Sequence, residues 1–125
     1  MKLDPVLEFR QWFVLQVIWP HGDGSSKARP AILLVTEKDK ANAGEVLWFM
    51  KITGEKFYDA KYEIEVDPNL PQFETMGLTK NCYIYPELSK QIPKSNAVGF
   101  RGVVSDNKLK KQIWVATIRL LGLIG

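Results

Sequence analysis

The chain's chemical content is concentrated in Ser25-Ser26-Lys27-Ala28-Arg29-Pro30, which runs directly into the apolar stretch Ala31-Ile32-Leu33-Leu34-Val35. Proline fixes its own φ and pushes the preceding residue into an extended conformation. It also lacks an N–H, so it belongs at the start or edge of a strand. The apolar residues that follow have no polar alternation, which predicts a strand buried on both faces. Arg29 then stands at the mouth of a buried strand, its backbone constrained and its guanidinium available to an anion. The plainer alternative is a charge that keeps a strand end soluble.

The elements that must position this residue read as one mainly-β domain over 1–125. Hydrophobic residues make up 46% and charged residues 25% of the chain, an ordinary globular balance. The net charge of +3 is compatible with a polyanionic partner and does not establish one. With one cysteine, Cys82, and one histidine, His21, the chain can form no internal disulfide and no ordinary zinc site. The first residues carry no apolar signal region, and the apolar stretch near the end is interrupted by Arg119. A cytoplasmic protein without membrane association is expected.

In chain order, Asp4-Pro5-Val6-Leu7-Glu8 reads as a helical turn and Phe13 to Trp19 as a strand ended by Pro20. His21 to Ser26 is a polar, Gly-rich loop, and the buried strand after Arg29 ends near Thr36. Glu37 to Gly44 is a surface connection. Glu45 to Thr53 is a strand with Val46, Trp48, Met50 and Ile52 on one face and Leu47, Phe49, Lys51 and Thr53 on the other. A turn at Gly54-Glu55-Lys56 precedes a half-exposed strand through Tyr62, Ile64 and Val66. Pro68 to Gly77 reads as a loop, Asn81 to Tyr85 as a strand, and Pro86 to Gln91 as one helical turn. Gly99 and Gly102 predict a bent or bulged strand over Val98 to Val104. Ser105 or Asp106 then caps a helix in which Leu109, Ile113, Ala116, Leu120 and Leu121 share a face, with Gly122 as its stop. Many short strands and one terminal helix point to a small closed or nearly closed barrel.

In order and spacing, several segments resemble the MazF/PemK-like toxins of toxin–antitoxin pairs, over roughly Gln11 to Gly125. They are Val14-Leu15-Gln16-Val17, Lys27-Ala28-Arg29-Pro30-Ala31-Ile32, Lys51-Ile52-Thr53, Gly77-Leu78-Thr79-Lys80-Asn81-Cys82, and the Gly102–Ser105 turn into the last helix. The resemblance implies an SH3-like β-barrel with a C-terminal helix and a homodimer. It also implies a metal-independent endoribonuclease that needs no cofactor, acts on single-stranded RNA and is inhibited by a cognate antitoxin protein. It makes Arg29 the catalytic arginine before proline and Thr53 the threonine at the end of the later strand. Two departures stand out. Gln11-Trp12 occupies the place where many members start the first strand with Gly and an acid. Asn81 and Cys82 replace a usual proline and serine.

Such an enzyme lets the RNA's own 2′-hydroxyl attack the adjacent phosphate. Arg29 suits the charge of the phosphorane through its planar fork of donors, and Thr53 can donate its hydroxyl to a non-bridging oxygen. His21, the one side chain titrating near neutrality unaided, reaches the site if its loop folds over RNA; otherwise it is a solvated loop histidine. Lys27, Lys51, Lys56 and Lys80 can line a phosphate track or simply serve solubility. Trp19, Trp48, Phe57 and Tyr83 can stack bases or fill the core. Two other readings remain: a catalytically silent binding module of this fold, and a toxin of this fold that poisons a protein such as a topoisomerase.

Overall fold

A computed structural model describes residues 10–20, 26–35, 46–56, 61–120 and 122. The expected turn at Asp4–Glu8, most of the loop from His21, and the connection from Glu37 to Gly44 lie outside the described residues. The elements are β1 (Phe13–Pro20), β2 (Ser26–Val35), β3 (Val46–Thr53), β4 (Ile64–Val66), α1 (Pro71–Thr75), β5 (Cys82–Pro93), β6 (Ala97–Val103) and α2 (Asn107–Leu120). A single 3₁₀ turn at Lys94–Asn96 joins β5 to β6. All six strands form one antiparallel sheet in the order β4-β5-β3-β2-β1-β6. Among the described residues the ladders leave β4 and β6 as the two ends of this series, so of the two expected forms, closed or nearly closed, the fully hydrogen-bonded closed one is not formed.

The sheet is buried on both faces. Val14, Ile32, Leu34, Met50, Ile52 and Ile84 pack with Phe73, Met76, Leu109 and Ile113 from the helical side. Leu15, Val17, Trp19, Ala31, Leu33, Leu47, Phe49 and Ile92 form a second cluster. The β3 alternation predicted from the sequence therefore holds, with Met50 and Ile52 in one cluster and Leu47 and Phe49 in the other. The unbroken Ala31–Leu34 run is buried throughout, as a strand covered on both faces requires. Each fully buried side chain of this size contributes about 1.5–3 kcal/mol relative to exposure.

Two expected elements are corrected. Pro68–Gly77 contains α1, a five-residue helix started by Pro71 and tied to the core by Phe73. It is too short to show a helical period, so only Pro71 at the first position marks it. Pro86–Gln91 forms no helical turn; it continues β5 to Pro93. The β3 ladder explains this. Met50 pairs with Ser89 but Ile52 pairs with Ile84, so the strand bends through Tyr85–Leu88 and then resumes pairing.

Helix α2 starts as predicted, with Asp106 Oδ2 accepting from the Leu109 N–H at 2.8 Å. It stops at Gly122, whose φ is +74°. Leu109 and Ile113 are buried on the predicted face, but Leu120 is exposed at 37%.

The departure at Gln11-Trp12 has a backbone consequence. Trp12 has a φ of +76°, in the left-handed region where side chains are disfavoured. Its N–H donates to the Leu33 carbonyl at 2.7 Å and its carbonyl accepts from Val104 N–H at 2.8 Å. Its ring meets Trp114 edge-on at 5.8 Å and lies under the Lys110 ammonium. These contacts hold a conformation that glycine takes without strain.

Candidate functional site

The first half of β2, around Arg29, borders a cleft of about 410 Å³; β2 begins at Ser26, so Arg29 and Pro30 lie within the strand rather than at its expected start. Its wall is built from five parts of the chain: Gln16 of β1, Ala28–Pro30 of β2, Ile52–Glu55 at the end of β3 and the turn after it, Leu78, Thr79, Lys80 and Cys82 at the entry to β5, and Arg101 of β6. Arg29 sits opposite Val17 and Pro30 opposite Gln16. This pairing fixes the backbone from which the half-buried arginine side chain leaves.

Thr53 is the last residue of β3 and only 8% exposed. Its Oγ1 accepts the Glu55 N–H at 3.1 Å. A hydroxyl that accepts one bond still carries a proton to donate. So Arg29 and Thr53, distant in sequence, share one cleft: a permanent cation and a hydroxyl donor, the two functions that stabilise charge developing on a phosphoryl group.

The cleft also holds a second arginine that sequence reading did not single out. Leu15 pairs with Phe100 while Val14 pairs with Gly102, so Arg101 is the extra residue of a β-bulge. Bulges re-aim side chains, and this one is held there. Arg101 Nε and Nη2 both donate to the Gly77 carbonyl, at 3.2 and 2.8 Å, and Nη1 donates to Gln16 Oε1 at 2.9 Å. Those three bonds leave two of the five guanidinium hydrogens for a ligand.

The seam behind Arg101 depends on two glycines. Gly77 has a φ of +70°, and a Cβ there would run into the Arg101 carbonyl; at Gly102 it would run into the Thr75 carbonyl. The sequence signal was present in part, because Gly99 and Gly102 predicted a bulge. Nothing local indicated which side chain the bulge would turn inward.

The remaining predicted residues are distributed differently. Lys80 is exposed on the cleft wall. Lys27 is exposed beside the cleft, opposite Trp19. Lys51 is buried, at 8% exposure, with its ammonium 5.9 Å from the Trp19 ring centre. Burial, and then repulsion from Arg29, pulls its pKa below the ordinary value. Lys56 is turned away into a 2.6 Å ion pair with Glu63. That bond from Lys56, and then one from Tyr85, hold the Glu63 carboxyl below the usual carboxylate range. His21 lies outside the described residues.

Of the aromatic candidates, Trp19 is buried, Trp48 is half-buried, and Tyr83 is half-buried and stacked on Tyr85; Phe57 lies outside the described residues. Cys82 lines the cleft, but it donates its thiol to the Lys80 carbonyl and burial pushes its pKa up. That environment suppresses the thiolate and makes it a poor nucleophile.

No three His, Cys, Asp or Glu side chains cluster among the described residues in a way that could hold a metal ion. Within the described residues no helix is long and apolar enough to cross a membrane.

No protein-family model matches the chain, and no curated protein matches it in sequence. Its structure is similar to that of the Mycobacterium tuberculosis toxin MazF-mt6. The TM-score is 0.66 at 18% sequence identity, over 90% of this chain and 99% of that one. The chain thus has a MazF-like fold, a six-stranded antiparallel sheet with a C-terminal helix.

Proposed function

We propose that this chain is the toxin of a toxin–antitoxin pair and a metal-independent endoribonuclease that cuts single-stranded RNA at the Arg29 cleft. The observation that carries this reading is the convergence of Arg29 and Thr53, with Arg101 beside them, on one cleft in a MazF-like fold. In the reaction, the substrate's 2′ oxygen bonds to phosphorus as the bond to the 5′ oxygen breaks. The products are a 2′,3′-cyclic phosphate and a 5′-hydroxyl. The 2′ proton passes to solvent, and the leaving oxygen takes a proton from it. Arg29 neutralises the phosphorane through its paired donors, Thr53 donates to a non-bridging oxygen, and Arg101 with Lys80 binds flanking phosphates.

A cognate antitoxin and a homodimer belong to the same reading. An antitoxin would inhibit by covering the cleft, and a dimer would present two such clefts.

The test is incubation of the purified protein with a long mixed-sequence RNA in EDTA, followed by mapping of the ends. Cuts at a recurring short sequence with cyclic-phosphate ends, lost in Arg29→Ala, support the proposal. An absolute requirement for magnesium, or uncut RNA together with tight binding to an unrelated protein, would overturn it.

A further inference from the structure

The turn after β3 ties Thr53 to a tyrosine buried in β5. Gly54, Glu55 and Lys56 are all exposed, so the turn has no apolar anchor of its own. Its polar anchors run in series. The Glu55 N–H donates to Thr53 Oγ1 at 3.1 Å. The Glu55 carbonyl, on the same residue, lies 3.3 Å from Tyr85 Oη. The phenol also donates to Glu63 Oε1 at 2.7 Å, while Glu63 Oε2 takes the Lys56 ammonium at 2.6 Å.

Tyr85 has no exposed surface, so its ring is enclosed by close packing, which sets where its hydroxyl lies. A phenol has one proton, so the shorter contact to the carboxylate dominates and the Glu55 carbonyl shares it. The outcome is that both ends of the turn are pinned. Lys56 is held through Glu63 and Glu55 through the phenol, which leaves the Glu55 N–H aimed at Thr53.

We infer that Tyr85 is a positioning residue for Thr53, clamping the Gly54–Lys56 turn so that the Glu55 N–H occupies one side of the threonine oxygen and leaves its proton to the cleft. This assignment rests on the nuclease reading above. Tyr85 touches no substrate in this role. Its effect on the reaction passes through the threonine hydroxyl, which makes the role separable from general support of the fold.

The test combines a double-mutant cycle with a measurement that needs no RNA. Tyr85→Phe keeps the ring and removes the hydroxyl, and a melting curve checks that the core is retained. It should lower kcat by about five- to tenfold with KM unchanged, the scale of one hydrogen bond. In a Thr53→Val background it should lower kcat no further, because the two residues act as a unit. Glu63→Gln leaves one acceptor for the two anchors, the phenol and the Lys56 ammonium, so it should lower kcat in the same direction and lower it no further in the Thr53→Val background.

In the absence of RNA, Tyr85→Phe should accelerate hydrogen exchange of the Glu55 amide. Multiplicative losses in the double variant would discard the clamp and leave the nuclease reading standing. So would unchanged Glu55 exchange. Accelerated exchange in a protein whose wild type cuts no RNA would retain the clamp and discard the nuclease reading.

Discussion

Two concave regions of the molecule gather positive charge, and they differ in how that charge is held. The cleft between the first half of β2 and the end of β3 has Arg29, Arg101 and Lys80 on its wall. A larger groove, about 550 Å³, lies between α2 and the segment leading into β4, with Lys61, Lys108, Lys111 and Arg119 around Ile64, Val115 and Ala116. By volume and by cation count the groove is the richer of the two. Its four cations are all exposed and extend from a helix and a short edge segment. In the cleft, Arg101 is locked by three hydrogen bonds and the Arg29 backbone is set by Pro30 and a buried strand. Exposed charges are screened and lose side-chain entropy when they order, whereas preorganised donors do not reorganise as charge develops. Fixation, rather than the number of charges, separates a candidate catalytic site from a solvated face.

The sharpest way to break that comparison is Arg29→Ala. Removal of one positioned donor at a developing charge should cut the cleavage rate by about 10²–10³, while the melting temperature stays close to wild type. Arg29→Lys should recover little, because an ammonium keeps the charge and loses the fork. Wild-type cleavage by Arg29→Ala would remove the cleft from consideration.

Next in size is Gly102→Ala. The added methyl would meet the Thr75 carbonyl, so the α1–β6 seam that seats Arg101 must open. A loss of about 2–4 kcal/mol in denaturant-measured stability is expected, the range of core overpacking and backbone strain. An unchanged unfolding midpoint would show that Arg101 is seated without this close approach.

Lys51 tests a buried cation in the field of Arg29. Its pKa is depressed in the fold, so between that depressed value and the ordinary 10.5 the unfolded chain holds a proton that the native chain has lost. Stability contributed by this residue therefore rises with pH across that window. Lys51→Met should flatten the rise and add up to about 1 kcal/mol at neutral pH, because the relief of desolvation is partly offset by the lost contact with Trp19. A steeper rise in the variant would reverse the assignment.

The smallest effect belongs to the groove. Lys108→Ala with Lys111→Ala should change stability by no more than about 0.5 kcal/mol and leave the rate of RNA cleavage as it was. A rate loss comparable to that of Arg29→Ala would place the chemistry there instead.

How far the sequence carried the reading follows from the range of the interactions involved. The buried Ala31–Leu34 run of β2, the two-faced alternation of β3, the Asp106 cap and the Gly122 stop were all legible, because each depends on residues within a few positions of one another. That β2 begins at Ser26, four residues before the expected start at Pro30, was not, because those residues are strand only through their pairing with β1. The continuation of β5 past Pro86 was not. Pro86-Glu87-Leu88 read locally as a turn, and only pairing of the far half with β3 makes it strand. The short helix α1 was hidden for a related reason: its evident anchor is the burial of Phe73 in a core contributed by other segments.

The sequence by itself determined a mainly-β chain with a capped terminal helix and a constrained arginine at the mouth of a buried strand. Those outcomes follow from local sterics, proline and glycine geometry, and hydrophobic period. Tertiary structure alone decided that Thr53 shares the Arg29 cleft, that a bulge turns Arg101 in beside them, that Lys51 is buried and Lys56 turned away, and that Tyr85 reaches the turn behind Thr53. The physical reason is that each of these depends on strand register and close backbone approach between residues far apart in the chain. A one-residue slip would send every such side chain to the opposite face.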